Sequence, residues 1–258
     1  METEELSYLH TDVKIPSQKK FILHRHSDYH EVIFLIQGDV SFCVEGCFYP
    51  LKPYDIVFAK NNELHQIIHN SLVAYERIVV KISTRFFEKY HCEELSKLFL
   101  NRSLGQNNLI PHIVHAPHHV IDLFHKVDHY IADNNTIAAI CVLIEILSLL
   151  NKVSFAAPST TKNPKNINQI INYIHEHCSE EITLTSIANY FYINKQYLCK
   201  IFKKSTGYTV NQYINLKRCM LADRLIEQGM RKTTAALEAG FGTYATYYKV
   251  RKFFQTYA

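Results

Sequence analysis

The sequence predicts an α+β multidomain chain: an N-terminal β-barrel with accessory helices, followed by an all-α C-terminal domain. Three observations carry that prediction. Short apolar runs broken by turn signals fill the chain to about residue 83, helical spacing begins near 84, and beyond a proline-containing break at 156–166 the spacing stays helical to the end. At 258 residues the chain is long enough for two domains, and 47% hydrophobic with 20% charged residues is ordinary globular composition.

The first domain is expected at 1–83. From about residue 20 it is rich in Val, Ile, Phe and Tyr, with turn signals at Gln37-Gly38-Asp39, Glu45-Gly46, Pro53-Tyr54-Asp55 and Lys60-Asn61-Asn62. Short strands at that spacing indicate a barrel or sandwich. Residues 84–155 are expected as accessory and dimerisation helices. Ile121, Phe124, His125 and Asp128 begin one helix, and Ile137 to Leu150 form another that is apolar almost all round. Such a helix has to be covered by the barrel or by a second subunit, which makes it the candidate contact of a homodimer. It contains Glu145 and is read as too short to span a bilayer, so no membrane partner is expected. The acidic start, Met1-Glu2-Thr3-Glu4-Glu5, is the reverse of a secretory leader, and seven cysteines without a C-x-x-C pair read as reduced thiols. Both point to the cytoplasm.

The break at 156–166, with two prolines and few bulky apolar residues, reads as a linker. Charge changes sign across it. Residues 1–162 hold 15 Lys/Arg against 18 Asp/Glu, whereas residues 163–258 hold 13 against 6. A basic tail on a mildly acidic body suits a polyanionic partner. Within 167–258, Ile167, Ile170, Ile171 and Ile174 share one helix face, and Leu184, Ile187, Ala188 and Phe191 share another. Asn194 is the expected N-cap of a helix carrying Leu198, Ile201 and Phe202, with Gly207 as its terminator. A longer helix runs from Val210 to Gln228. A short helix starting at Thr233/Thr234, a turn at Gly240-Phe241 and a cap at Thr243 then repeat the first plan, 49 residues on from Asn194.

Short helix, tight turn and second helix make a helix-turn-helix, whose second helix enters the major groove of double-stranded DNA. If Leu198, Ile201 and Phe202 are inward, the outward positions are Lys195, Gln196, Cys199, Lys200 and Lys203, with Lys204 at the helix end. Gln196 suits adenine N6 and N7, Lys200 suits guanine O6 and N7, and Lys203 and Lys204 suit phosphates. Cys199 reads as a small residue that fits the groove. In the second unit the outward set is Tyr244, Ala245, Thr246, Tyr248 and Lys249; the methyl groups of Ala245 and Thr246 suit thymine, and Lys249 is the strongest donor. The long helix between the units is expected to hold the two reading helices about one DNA turn, roughly 34 Å, apart.

These residues resemble the DNA-binding domain of the AraC/XylS family of bacterial transcription regulators. The matching text is Ile182-Thr183-Leu184-Thr185-Ser186-Ile187-Ala188, Tyr197-Leu198-Cys199-Lys200-Ile201-Phe202-Lys203-Lys204, Thr206-Gly207, Tyr213-Ile214, Arg218, Ala222, Leu225 and Gly240-Phe241-Gly242. The resemblance implies sequence-specific promoter binding, with RNA polymerase as a partner where the regulator activates. One departure stands out. In Tyr247-Tyr248-Lys249-Val250-Arg251-Lys252-Phe253-Phe254, Arg251 occupies the place of an expected Phe, so either a core aromatic has become Arg or one residue is missing. The sequence also ends at Ala258, short of the Pro-containing tail usual in the family. An unpaired buried Arg would cost several kcal/mol, which predicts a second unit that is less stable or reads DNA poorly.

Of 15 histidines, 13 precede the linker. The pattern His24-x-His26-x4-Glu31-x6-Gly38, followed by Pro53-Tyr54-Asp55 and His65, resembles the metal motif of cupin barrels, so the barrel is expected to be cupin-like. Three His and a carboxylate suit a divalent first-row metal. The same text resembles sensor barrels of AraC-type regulators, which bind a small effector. On that reading His24, His26, Tyr29, Glu31 and His65 are effector contacts, or barrel side chains bonded to neighbours, and no resident cofactor is needed. Two alternatives stand beside it: a metal-dependent cupin enzyme carrying a DNA-binding tail, and a barrel that only dimerises. The His112-Ile113-Val114-His115-Ala116-Pro117-His118-His119 cluster reads as a polar loop.

Overall fold

The computed structural model describes residues 1–13, 24–154 and 165–255. They form two compact units, one made chiefly of residues before 155 and the other of residues from 165 onward.

Among its described residues the first unit holds eight strands: β1 (Leu6–Val13), β2 (Tyr29–Gln37), β3 (Val40–Val44), β4 (Cys47–Pro50), β5 (Ile56–Ala59), β6 (His65–His69), β7 (Tyr75–Ser83) and the short β8 (Leu109–Ile110). They hydrogen-bond as two sheets, β1-β7-β2-β5-β8 and β4-β3-β6. The turn signals fall where strands reverse. Glu45-Gly46, with φ of +47° and +75°, closes the β3–β4 hairpin, the left-handed pair that a two-residue hairpin turn requires. β1 was not foreseen. It pairs with β7 from Leu6↔Ile82 to Val13↔Tyr75, yet only Leu6 and Tyr8 are buried, too few to leave an apolar pattern.

Three short helices, α1 (Thr84–Lys89), α2 (Lys97–Leu100) and α3 (His112–His115), and two long ones, α4 (Val120–Ala132) and α5 (Thr136–Ser154), complete this unit. Val32, Phe34, Ile78, Val80 and Ile82 form one core with Phe124, Val127, Leu143, Ile146 and Leu147. Alternation along β2 therefore turns Val32 and Phe34 toward the helices and Glu31 to the opposite face. α5 corrects one expectation. It has 19 residues, and its length and apolarity suffice for a membrane span. The core accounts for that apolarity: Ala139, Ile140, Val142, Leu143, Ile146, Leu147, Leu150 and Val153 are buried, and Thr136, Ile137, Cys141, Glu145, Ser148 and Lys152 are exposed as a narrow stripe. The histidine-rich stretch is a second correction. It is α3 followed by a 3₁₀ turn, and His115 is buried with Nε2 2.8 Å from the Tyr54 carbonyl.

The linker lies outside the described residues except 165–166, which open α6 (Lys165–His177). α7 (Leu184–Tyr190), α8 (Lys195–Thr206), α9 (Val210–Glu227), α10 (Lys232–Glu238) and α11 (Tyr244–Gln255) follow. Each start has its local cause. Thr183 and Ser186 form a capping box ahead of α7, Thr209 and Gln212 form another ahead of α9, and Asn194 accepts from the Tyr197 amide at 3.0 Å. Gly207 ends α8 in the left-handed region. α10 begins at Lys232, one residue before the expected Thr233. Ile167, Ile170, Ile171, Ile174, Ile187, Leu198 and Phe202 are buried, as expected, whereas Ile201 is only half-buried.

Candidate DNA-reading surface and barrel site

The two helix-turn-helix units superpose in sequence with one inserted residue. α7 and α10 start 48 residues apart, whereas α8 and α11 start 49 apart, so the second turn, Ala239–Thr243, is one residue longer than Phe191–Asn194. In the first unit the left-handed position is Tyr192 and in the second it is Gly240. Gly240 is required there: a Cβ would lie 2.6 Å from the Ser179 carbonyl oxygen and 2.9 Å from Arg218 Nε, at φ +88°. Arg218 in turn donates from Nε to the Cys178 carbonyl at 2.6 Å and from Nη2 to the Glu180 carbonyl at 2.8 Å, tying the end of α6 to α9.

Leu198 and Phe202 are fully buried and hold α8 by one face, Phe202 meeting Tyr213 of α9 edge-on at 5.3 Å. Lys195, Gln196, Cys199, Lys200, Lys203 and Lys204 are all exposed on the other face. On α11 the anchor is Tyr247, buried in a core of Cys219, Ala222, Ala236, Ala239 and Phe241. Ala245, Thr246, Tyr248 and Lys249 are exposed and Tyr244 is half-buried. Sequence reasoning missed the aromatics beside the first reading face. Tyr190, Tyr192 and Tyr197 are exposed, Tyr192 by 97%; the signal was the run of three tyrosines around a turn that needs no apolar residue.

Arg251 settles as neither buried nor unpaired. Its side chain is 42% exposed, and Nε donates to Asp223 Oδ1 at 2.9 Å. The unpaired-charge penalty foreseen for the second unit does not arise.

In the strand-rich unit, one ligand atom from each of His26, Glu31 and His65 lies within 4.8 Å of the other two, whereas His24 falls in the other compact unit. His65 Nε2 is 2.6 Å from Glu31 Oε2, and His26 Nε2 is 3.7 Å from the same oxygen. Glu31 and His65 are buried, and they join the two sheets, one from β2 and the other from β6. The other ring nitrogen of His65, Nδ1, is 2.8 Å from the Glu63 carbonyl, so it carries hydrogen and donates. Burial opposes an ionised Glu31, but the two imidazoles beside it override that and hold its carboxyl well below the ordinary range. The His65 ring is pushed the other way: burial opposes its charge, and Glu31 raises its pKa despite that. Tyr29 does not join them; its hydroxyl donates to the Glu4 carbonyl at 3.2 Å. Glu63, which went unnoticed, is wholly buried. It receives Arg102 Nη2 at 2.8 Å, the Gly105 amide at 3.0 Å and the Lys60 amide at 2.9 Å, and so fixes the backbone that orients His65. The donors fit a borderline divalent metal: nitrogen and carboxylate oxygen, no thiolate, with one imidazole already held by its second nitrogen.

A family model for a helix-turn-helix domain matches residues 187–256. The HTH-type transcriptional activator RhaS of Klebsiella pneumoniae (strain 342) is 23% identical over 232 residues, covering 87% of this chain and 81% of that protein. The uncharacterised HTH-type transcriptional regulator YbfI of Bacillus subtilis (strain 168) is 21% identical over 235 residues, covering 86% and 80%. Among solved structures, ToxT from Vibrio cholerae O395 aligns over 97% of this chain and 94% of that one, at 16% identity and a TM-score of 0.41. Tandem units, each with a capped and outward-facing second helix, make this a helix-turn-helix DNA-binding protein. With the residues of the 182–242 motif in their places on its helices, the chain is similar to HTH-type transcription regulators along most of its length.

Proposed function

We propose that this chain regulates transcription by binding a promoter through α8 and α11, under the control of a small ligand in the strand-rich unit. The observation that carries the reading is the exposed face of α8. Lys195, Gln196, Cys199, Lys200 and Lys203 stand on a helix whose opposite face is locked by Leu198 and Phe202. A rigid helix with free amide and ammonium groups is what base-edge recognition needs. Residues 167–258 then form the reader, 1–83 the sensor and 84–155 the accessory layer, joined through 156–166. His24, His26, Glu31 and His65 are its ligand contacts. The exposed stripe of α5 supports a homodimer, RNA polymerase is the further partner where the protein activates, and the site of action is the cytoplasm. No catalytic step is assigned to the chain.

Ligand binding alters DNA affinity only to the extent that it favours one state over another. The test is a fluorescence-anisotropy titration against the promoter of the chain's own gene and a scrambled duplex, repeated across salt. About 10³-fold preference for the promoter, with affinity falling as salt rises, is the expected result. No binding to any duplex at low salt would overturn the reading.

A further inference from the structure

We propose that Tyr192, in the turn of the first helix-turn-helix, is a DNA contact whose hydroxyl donates to a phosphate at the edge of the groove that α8 enters. The inference rests on the reading of α8 as a DNA-reading helix and adds a contact outside its base-facing set.

The backbone at Tyr192 is left-handed, with φ of +53°. That conformation is costly for a residue with a bulky side chain and nearly free for glycine. The second helix-turn-helix has the matching position, 48 residues on, and fills it with Gly240. The first keeps a tyrosine there. Strain of this kind persists where something offsets it, and such residues collect at ligand contacts. Packing does not offset it here. Tyr192 is 97% exposed, and among the described residues its side chain makes no hydrogen bond, ion pair or ring contact. Its neighbour Tyr190 differs, because that ring lies 4.5 Å from Tyr173 and 5.0 Å from Phe191.

Position and charge name the partner. Tyr192 stands two residues before the Asn194 cap and three before Lys195, the first residue of α8. The N-terminal residues of a reading helix lie nearest the base edges, so the turn just before them borders the sugar–phosphate backbone. From Thr183 to Thr206 the chain carries four lysines and no Asp or Glu, a setting that suits a polyanion. A phenol at the tip of an exposed side chain is a donor of the kind that phosphate oxygens accept. Such a contact positions the helix and carries no sequence information. A hydroxyl, unlike a lysine, displaces no counterion.

The experiment titrates the full chain by fluorescence anisotropy against the promoter of its own gene and a scrambled duplex, each across salt. Tyr192→Phe is expected to weaken binding to both duplexes by the same factor, about 2–10-fold, the net worth of one hydrogen bond. The slope of affinity against salt is expected to stay as in the parent, whereas Lys203→Ala lowers it. Tyr192→Gly is expected to bind at least as weakly as Tyr192→Phe while melting no lower than the parent, since glycine relieves the left-handed strain. Weaker binding without loss of stability separates a contact from a structural role. Tyr192→Phe that binds both duplexes as the parent does overturns the assignment, and a loss confined to the promoter overturns the phosphate contact in favour of base reading. Unchanged DNA binding with lost activation in a purified transcription reaction gives Tyr192 to a protein partner and overturns it as well. A parent that binds no duplex at all defeats the reading of α8 itself, a result distinct from any of these.

Discussion

Arg251 and Asp223 are joined by a hydrogen bond from Nε to Oδ1 of 2.9 Å, and the same oxygen accepts the Tyr247 hydroxyl at 2.6 Å. Arg251 occupies on α11 the place that Phe202 occupies on α8, 49 residues earlier. The first unit fills that place with a fully buried ring, the second with a guanidinium that spans to α9 and keeps its outer end in water. Asp223→Ala strands the Tyr247 hydroxyl and is expected to cost about 1–3 kcal/mol. Arg251→Ala, at a side chain 42% exposed, is expected to cost less than about 1 kcal/mol. Urea unfolding of the three proteins decides the matter; a larger loss for Arg251→Ala than for Asp223→Ala would mean the arginine acts through something other than this pair.

Positions along the one exposed face of α8 separate base reading from phosphate attraction. Lys200→Ala and Gln196→Ala are each expected to lose about 1–3 kcal/mol on the promoter and little on a scrambled duplex. Lys203→Ala should weaken both equally and reduce the salt slope by about one. Equal losses on the two duplexes for Lys200→Ala would reassign that lysine to phosphate.

Two glycines test the difference between conformation and space. Gly207 (φ +77°) has open surroundings within 4 Å of an added Cβ, whereas Gly240 (φ +88°) faces the Ser179 carbonyl at 2.6 Å. Gly207→Ala is expected to cost about 1–2 kcal/mol, the left-handed penalty alone. Gly240→Ala should cost clearly more, because Ser179 and Arg218 have to move as well. Equal melting temperatures for the two variants would contradict this geometry.

His10 bridges three elements. Nδ1 is 2.9 Å from Asp128 on α4, and Nε2 is 2.9 Å from Glu76 on β7. Burial lowers its pKa, but the Glu76 hydrogen bond and Asp128 outweigh that, and the folded value lies above the ordinary 6.5. A raised histidine contributes stability below its unfolded pKa and loses it as pH rises through the folded one. Thermal unfolding of the parent is therefore expected to weaken from pH 6.5 upward by an amount that His10→Gln removes. Identical slopes in both proteins would show that folding does not raise the His10 pKa.

Much of this molecule is local, and what is local could be read from the sequence. Asn194, Thr209 and Gly207 bond to or shape backbone within four residues, so the ends of α8 and the start of α9 follow from their chemistry alone. Leu198 and Phe202 declare the inward face of α8 by spacing, and the outward face follows by subtraction. The His24, His26 and Glu31 pattern was legible only as a motif, since His24 and His26 precede β2 and Glu31 stands an odd number of residues from both. Tertiary structure decided what depends on partners distant in sequence. β1 is a strand because β7 offers it an edge, its partners lying between Leu6↔Ile82 and Val13↔Tyr75, more than 60 residues on. α5 is a core helix because a sheet and α4 cover it, although its composition alone suits a bilayer. Arg251 is harmless because Asp223 lies one helix away, and Glu63 matters because Arg102 and Gly105 fold back onto it. Local backbone preferences act between neighbours and leave their mark in every window of sequence. Burial and ion pairing act between residues that only the folded chain makes neighbours.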